Sequence, residues 1–223
     1  MMNDINHLSA RLTERFPQWI SRAEIAIGEL TVDVMPEHLH ELCLTLRDDS
    51  ECEFNMLVDV CGVDYLHYGL SEWETESATS TGFERGVDRH AMNHPRLTGP
   101  RFAAVYHLLS LTHNQRIRLR VMLDENALKV PSVVSIWPSA NWFEREAFDL
   151  FGIQFEGHPD LRRILTDYGF KGHPFRKDFP LSGQVEVRYD AKLHRVVYEP
   201  VSIQPRILEP KVIRRDNRYQ SGE

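Results

Sequence analysis

The sequence predicts an α+β fold in which helices pack on a mainly antiparallel or mixed sheet, followed by an extended C-terminal docking tail. Three observations carry this. Apolar residues recur at helical spacing in some stretches and at period two in others, and a basic, proline-punctuated run with neither period closes the chain.

Taken in order, residues 4–16 space Ile5, Leu8, Leu12 and Phe16 three or four apart, an amphipathic helix that Pro17 stops. Residues 25–34 read as extended. Pro36 opens a second helix with Leu39, Leu42, Cys43 and Leu46 on one stripe and Glu37 in its first turn. His38, His40 and Glu41 form no HExxH there and read as solvent-facing. Residues 55–65 are apolar and β-branched, predicting a buried strand that leads into a turn at Gly62. Asp59 interrupts it, and is expected to be hydrogen-bonded rather than catalytic.

Residues 67–101, centred on Ser-Glu-Trp-Glu-Thr-Glu-Ser-Ala-Thr-Ser-Thr-Gly, lack apolar periodicity and predict a long polar surface loop. Residues 102–111 and 116–123 predict a hairpin turned at Thr-His-Asn-Gln. Ile117, Leu119, Val121 and Leu123 share one face of its second strand. Arg116, Arg118 and Arg120 share the other, where cross-strand carboxylates are the expected partners. Residues 133–136 predict one more short strand, ended by Pro138.

Residues 141–152 predict a helix capped by Asn141 and ended by Gly152. Leu150, Phe143, Ala147 and Phe151 fall on one side. Arg145, Glu146 and Asp149 gather opposite, with Arg145 and Asp149 as an i,i+4 pair. Glu144 fits neither face: its carboxylate either returns to the helix start as a capping box or is desolvated and needs a cationic partner. Gly-His-Pro then occurs twice, at 157–159 and 172–174, as rigid non-helical corners, with a short helix from Asp160 to Leu165 expected between them. Residues 184–203 predict a last hairpin. The run beyond it is expected to order only on a partner. The expected division is an α+β domain over 1–156, carrying the 67–101 loop, and an extended basic segment over 157–223 with the hairpin and tail.

Composition narrows the function. The formal net charge of −7 argues against nucleic acid as partner. It hides a division, since residues 1–160 hold 13 Lys and Arg against 25 Asp and Glu, and residues 161–223 hold 13 against 8. A basic tail on an acidic body suits docking against an acidic surface. No apolar run reaches the ~20 residues of a membrane span, and the N-terminus resembles no secretory signal, so a cytoplasmic protein is expected. Cys43, Cys52 and Cys61 form no CxxC pair and read as reduced and structural. No phosphate loop, dinucleotide fingerprint or nucleophile elbow is present. His158, Asp160, His173 and Asp178 offer metal-ligand types, but Arg162, Arg163, Arg176 and Lys177 beside them would repel a cation.

The run Glu-Arg-Glu-Ala-Phe-Asp-Leu-Phe-Gly-Ile, continued by Gly-His-Pro-Asp-Leu-Arg-Arg-Ile-Leu, Asp-Tyr-Gly-Phe, Gly-His-Pro-Phe-Arg-Lys-Asp-Phe-Pro-Leu-Ser-Gly and Glu-Val-Arg-Tyr-Asp, resembles the signature of the 30-kilodalton subunit family of respiratory complex I. The resemblance implies a non-catalytic peripheral-arm subunit of a proton-translocating NADH:quinone oxidoreductase. Electrons there pass from NADH through the FMN and iron–sulfur clusters of other subunits to quinone. It implies no cofactor, metal or catalytic side chain in this chain. It also implies partners among the other peripheral-arm subunits, especially the quinone-site subunit of the 49-kilodalton type, on the cytoplasmic side of the inner membrane. The signature residues Glu144, Arg145, Glu146, Asp149, Gly152, His158, Pro159, Arg162, Arg163, Gly172, His173, Pro174, Arg176, Lys177 and Asp178 then become structural and interface positions. Their charges form a network within the chain or with a neighbouring subunit. The rival readings are the equivalent subunit of a membrane-bound hydrogenase and a free metal-dependent hydrolase. The 67–101 segment departs from the family pattern by its length and polarity.

Overall fold

A computed structural model describes residues 2–68 and 99–203, together with four two-residue strands between them. The expected tail beyond residue 203 and most of the expected 67–101 loop lie outside the described residues. By contacts the chain divides into two units, one of residues 1–66 and 98–179, the other of residues 67–97 and 180–223. The boundary expected at 156/157 differs from this partition over residues 157–179, whose backbone is hydrogen-bonded to the rest of the first unit.

The first unit opens with helix α1 (Met2–Arg15), whose Leu8 and Leu12 are fully buried as their spacing predicts. Strands β1 (Ile20–Ala26) and β2 (Glu29–Val34) form a hairpin where one extended stretch is expected. The reversal falls at Ile27 and Gly28, both at positive φ (51° and 77°), which gives the two-residue turn that strand twist favours. A 3-10 turn at Pro36–His38 leads into α2 (Leu39–Asp48), which buries Leu39, Leu42, Cys43 and Leu46 as expected. Strand β3 (Met56–Asp64) runs through Gly62 without turning. The glycine serves packing instead, since a Cβ there would lie 2.4 Å from the Phe151 ring.

Between β3 and the next long strand, β4 (Trp73–Glu74) pairs with β7 (Gly86–Val87) and β5 (Ala78–Thr79) with β6 (Gly82–Phe83). The expected hairpin is β8 (Phe102–Ser110) and β9 (Gln115–Leu123). The main sheet runs β1-β2-β9-β8-β3, antiparallel except between β2 and β9, and is therefore mixed. On its arginine face Arg118 and Arg120 pair across strands as expected. Arg120 grips Asp33 through two bonds of 2.7 and 2.9 Å, and Arg118 reaches Glu29 and Thr31.

The strand expected at 133–136 is a turn. The short strand lies earlier, as β10 (Lys129–Pro131), parallel to β11 (Gln154–Glu156). Between them, helix α3 (Ala140–Phe151) packs against β3. Leu8, Leu42, Val60, Tyr106, Leu119, Ala147 and Leu150 belong to one continuous core shared by the sheet and all three helices. The second unit contains the expected hairpin, β12 (Val185–Asp190) with β13 (Arg195–Pro200). Among the described residues, no helix is long and apolar enough to cross a membrane.

Candidate functional site

The site is α3 together with the two Gly-His-Pro segments that close over it. An α-helix leaves its last four carbonyls without partners, and here each one is met. Gly152 N–H donates to Phe148 O (2.9 Å), His173 Nδ1 pairs with Asp149 O (2.9 Å), Phe175 N–H donates to Leu150 O (3.1 Å) and Arg176 Nε to Phe151 O (2.7 Å). The second Gly-His-Pro segment is thus the helix's C-terminal cap. Gly152 makes this possible twice over. It sits in the left-handed region (φ 83°), and a Cβ there would lie 2.6 Å from Arg176 Nη2 and 2.7 Å from His173 Nε2. Burial holds the His173 ring below its ordinary pKa, and Arg176 and Arg163 push the same way.

Asp149, fully buried, organises the segment between the two corners. Its Oδ2 accepts the amides of Ile164 (3.0 Å), Leu165 (2.7 Å) and Thr166 (2.9 Å). Its Oδ1 accepts the Thr166 hydroxyl (2.6 Å) and Arg163 Nη1 (3.3 Å). Burial alone would raise this carboxyl, but the Thr166, Leu165 and Ile164 bonds outweigh it and hold the group below its usual range. The short helix expected from Asp160 to Leu165 does not form, because its amides bond to this carboxylate instead of to preceding carbonyls. Asp160 N–H goes to His158 Nδ1 (3.0 Å) and its carboxylate to Arg162.

The expected Arg145–Asp149 pair is also replaced. Arg145 is buried, donates to the carbonyls of Arg162 (3.1 Å) and Arg163 (3.4 Å), and lies over the Trp142 ring. The polar face of α3 is therefore covered by chain, with Glu146 left exposed. His158 Nε2 pairs with Asn141 O (3.2 Å), which ties the first Gly-His-Pro corner to the helix start. Arg163 also donates to Gly172 O (2.9 Å), linking the two corners.

Glu144 points the other way, into the core, with no accessible surface. It is desolvated, as the second of the two expectations had it, but neutral donors take the place of the expected cation. Ser132 Oγ donates to Oε2 (2.7 Å) and Val133 N–H to Oε1 (2.8 Å), so the carboxyl clamps the preceding loop. No cation pairs with it among the described residues, and Asn141 does not cap the helix, which starts one residue earlier behind Ser139. Burial, only partly offset by the Ser132 and Val133 bonds, pushes its pKa up to about 7. Capture of the Val133 amide also explains why no strand forms at 133–136.

A second hub was not legible in the sequence. Arg101, 4% exposed, holds Asp64 through Nε (2.9 Å) and Nη2 (2.8 Å), Glu125 through Nη1 (2.6 Å) and Asp178 through Nη2 (3.0 Å), and lies over the Phe102 ring. Asp64 also accepts the amides of Leu66 and Lys177, both at 2.9 Å. Against the pull of burial, the Arg101, Lys177 and Leu66 bonds keep Asp64 below its usual range. Lys177 and Asp178 are thereby fastened to the ends of β3 and β8, and the Arg176 guanidinium also lies over the Phe102 ring. Arg101 closes an aperiodic segment, and nothing in its neighbours marks it as buried.

The predicted residues accordingly gather around α3: Arg145, Asp149, Gly152, His158, Arg163, Gly172, His173 and Arg176 in one bonded network, Lys177 and Asp178 at the Arg101 hub, and Glu144 in the core. Pro159 and Arg162 stand at the exposed rim, while Pro174 is half-buried. His158 and His173 each commit a ring nitrogen to a different carbonyl of α3, and the four metal-ligand types at 158, 160, 173 and 178 do not converge. Trp142, Leu165, Tyr168 and Phe175 remain more than half exposed around this rigid framework.

Comparison with known proteins matches residues 32–185 to the family described as respiratory-chain NADH dehydrogenase, 30 Kd subunit. Relatives named as one of the subunits of NADH-quinone oxidoreductase include a Coxiella burnetii protein, 58% identical over 95% of this chain and 94% of its own length. Another of the same name, from Legionella pneumophila, is 55% identical over 100% of this chain and 98% of its own length. Among solved structures, a trypsin-resistant fragment of Nqo5 is 32% identical, covers 69% of this chain and 98% of that fragment, and superposes with a TM-score of 0.50. A chain of an archaeal membrane-bound sulfane sulfur reductase, at 19% identity and a TM-score of 0.52, shares the fold.

Proposed function

This chain belongs to the family of the 30-kilodalton subunit of respiratory-chain NADH dehydrogenase, and we propose accordingly that it is a non-catalytic, peripheral-arm subunit of a proton-translocating NADH:quinone oxidoreductase. It supports, without carrying, the electron path from NADH through FMN and iron–sulfur clusters of other subunits to quinone. The observation that bears most weight is how the signature spends its polar groups. Asp149, His158, His173, Arg145, Arg163 and Arg176 each bond to the backbone of the chain itself. Such groups hold a surface in shape, whereas catalysis needs groups aimed at a substrate.

The chain's partners are other components of the complex, and the quinone-site subunit of the 49-kilodalton type is the proposed principal contact, on the cytoplasmic side of the inner membrane. Exposed Trp142, Leu165, Tyr168 and Phe175 supply the kind of aromatic and apolar anchors that dominate protein interfaces. The basic segment from residue 161 supplies complementary charge. A rival reading as the equivalent subunit of a membrane-bound hydrogenase has no comparable support, since the 19% identical chain shares only the fold.

Affinity isolation from detergent-solubilised membranes tests the reading. Flavin-containing and cluster-containing partners should accompany the chain, and its recovery only as a free monomer would refute it. Truncation after Pro200 should leave the first unit folded and weaken incorporation into the complex, and unchanged incorporation would remove the docking role of the tail.

A further inference from the structure

One cluster of ligating side chains lies outside the α3 framework. Asp59 and Cys61 on β3 and His107 on β8 each offer a carboxylate oxygen, a thiol sulfur or a ring nitrogen, and these atoms lie within 4.8 Å of one another. Their convergence has a specific backbone cause. Asp59 pairs with His107 in the β3–β8 ladder, but the register shifts between Leu57 and Asp59. That bulge leaves Val58 as an extra residue and turns the alternation over, so that Leu57 and Val60 are buried while Val58, Asp59 and Cys61 are not. In unbroken pleating Asp59 would share Leu57's face, in the core. Bulges re-aim side chains in this way beside functional sites.

The cluster is reachable, with the Asp59 and His107 side chains 43% and 34% exposed. Glu146 acts electrostatically on Cys61, and Glu29 on His107. Besides the Asp59 ligand, two carboxylates, Glu29 and Glu146, act on these atoms and Arg118 acts against them, while Arg116 lines the same pocket as His107. A tetrahedral ion bound at ~2.0–2.3 Å holds its ligand atoms roughly 3.5 Å apart, a contraction that side-chain rotation supplies.

We propose that Asp59, Cys61 and His107 form a three-ligand site for a thiophilic divalent cation of the zinc class, with solvent completing the tetrahedron. Sulfur, imidazole and carboxylate together favour such an ion over magnesium or calcium, which take oxygen ligands. Arg118 controls occupancy. Its Nε donates to His107 Nε2 (3.1 Å), which places the ring proton on Nδ1, the nitrogen that faces Asp59 at 4.0 Å. Binding through Nδ1 releases the Cys61 thiol proton and the Nδ1 proton, and Nε2 takes one up from solvent. Net release is therefore one proton per ion. Arg118 Nε must then turn away, while Thr31 and Glu29 retain the rest of its guanidinium. The same arginine that orients the ring therefore opposes the metal.

The test titrates the untagged, full-length, reduced chain with Co²⁺ and then displaces it with Zn²⁺ against a chelating dye. The expected result is one equivalent of cobalt with the intense visible bands of tetrahedral geometry and a sulfur-to-cobalt charge-transfer band. The charge-transfer band should vanish in Cys61→Ser. Asp59→Asn and His107→Gln should each weaken zinc binding by at least about 10-fold. Arg118→Met should tighten it, because a competing donor and a positive charge are both removed. The proposal is overturned if wild-type protein shows no charge-transfer band, if that band persists in Cys61→Ser and so arises from Cys43 or Cys52, or if Arg118→Met weakens zinc binding.

Discussion

Replacing Glu144 by Gln isolates the cost of keeping a carboxyl in the core. In the unfolded chain this group ionises around its ordinary pKa of 4.5, whereas in the folded protein burial holds it protonated up to about 7. Below pH 4.5 both states carry the proton and no penalty arises. Between 4.5 and 7 the unfolded state loses its proton first, so folding stability falls with rising pH by ~1.4 kcal/mol per unit. The loss totals roughly 3 kcal/mol and levels off above pH 7.

Gln is nearly isosteric and can keep both bonds: its carbonyl accepts the Val133 amide, and the Ser132 hydroxyl turns to accept from its NH₂. Urea unfolding of both proteins, followed by tryptophan fluorescence at about pH 4, 6 and 8, reads the difference directly. Titration of Asp64 and Asp149 is common to both proteins and cancels. The Gln variant should gain about 3 kcal/mol relative to wild type between about pH 4 and 8, or about 6–12 °C in melting temperature for a unit of this size. A stability difference that does not change with pH would refute the buried, proton-holding assignment.

Gly152→Ala should destabilise the first unit by about 2–4 kcal/mol, since it combines left-handed strain with displacement of His173 and Arg176; thermal melting checks this, and a cost under about 0.5 kcal/mol would contradict it. Asp149→Asn turns an NH₂ towards donors that now meet a carboxylate, at a cost of about 3 kcal/mol at pH 7, and amide exchange at 164–166 should accelerate. Because the folded Asp149 pKa is depressed, the stability its ionised form contributes is present above pH 3.8 and lost as pH falls through the folded value, so the two proteins should converge in acid. Arg101→Leu leaves Asp64 buried without its cation and should cost about 3–5 kcal/mol, whereas the double change with Asp64→Leu should recover part of it, measured as a double-mutant cycle.

Local pattern was enough for the apolar framework. Leu8 and Leu12, the Leu39–Leu46 stripe, the alternation in β9 and the stop at Gly152 each declare themselves within a few residues, because helix and strand periods are properties of neighbouring positions. The family signature likewise marked the α3 region as the place of interest. Polar partnership was a different matter. With only helix neighbours in view, Glu144 reads as a cap or as a desolvated group in need of a cation, and Arg145 with Asp149 reads as a surface pair. Arg101 looked like the end of a loop, and Asp59 like an interruption in a strand.

Neighbouring residues alone thus determined which segments carry the helix and strand periods, which faces are apolar, and that the Gly-His-Pro corners cannot be helical. Only the tertiary structure decided where the charges go. A buried carboxylate or guanidinium takes whichever donors or acceptors the fold brings within about 3 Å. Those lie 11 and 12 residues away for Glu144, up to 17 for Asp149 and 37 for Arg101 with Asp64. No periodicity spans such separations. The helix at 140–151 is accordingly held by segments on both sides of it in the chain, through bonds that exist only once the whole unit has closed.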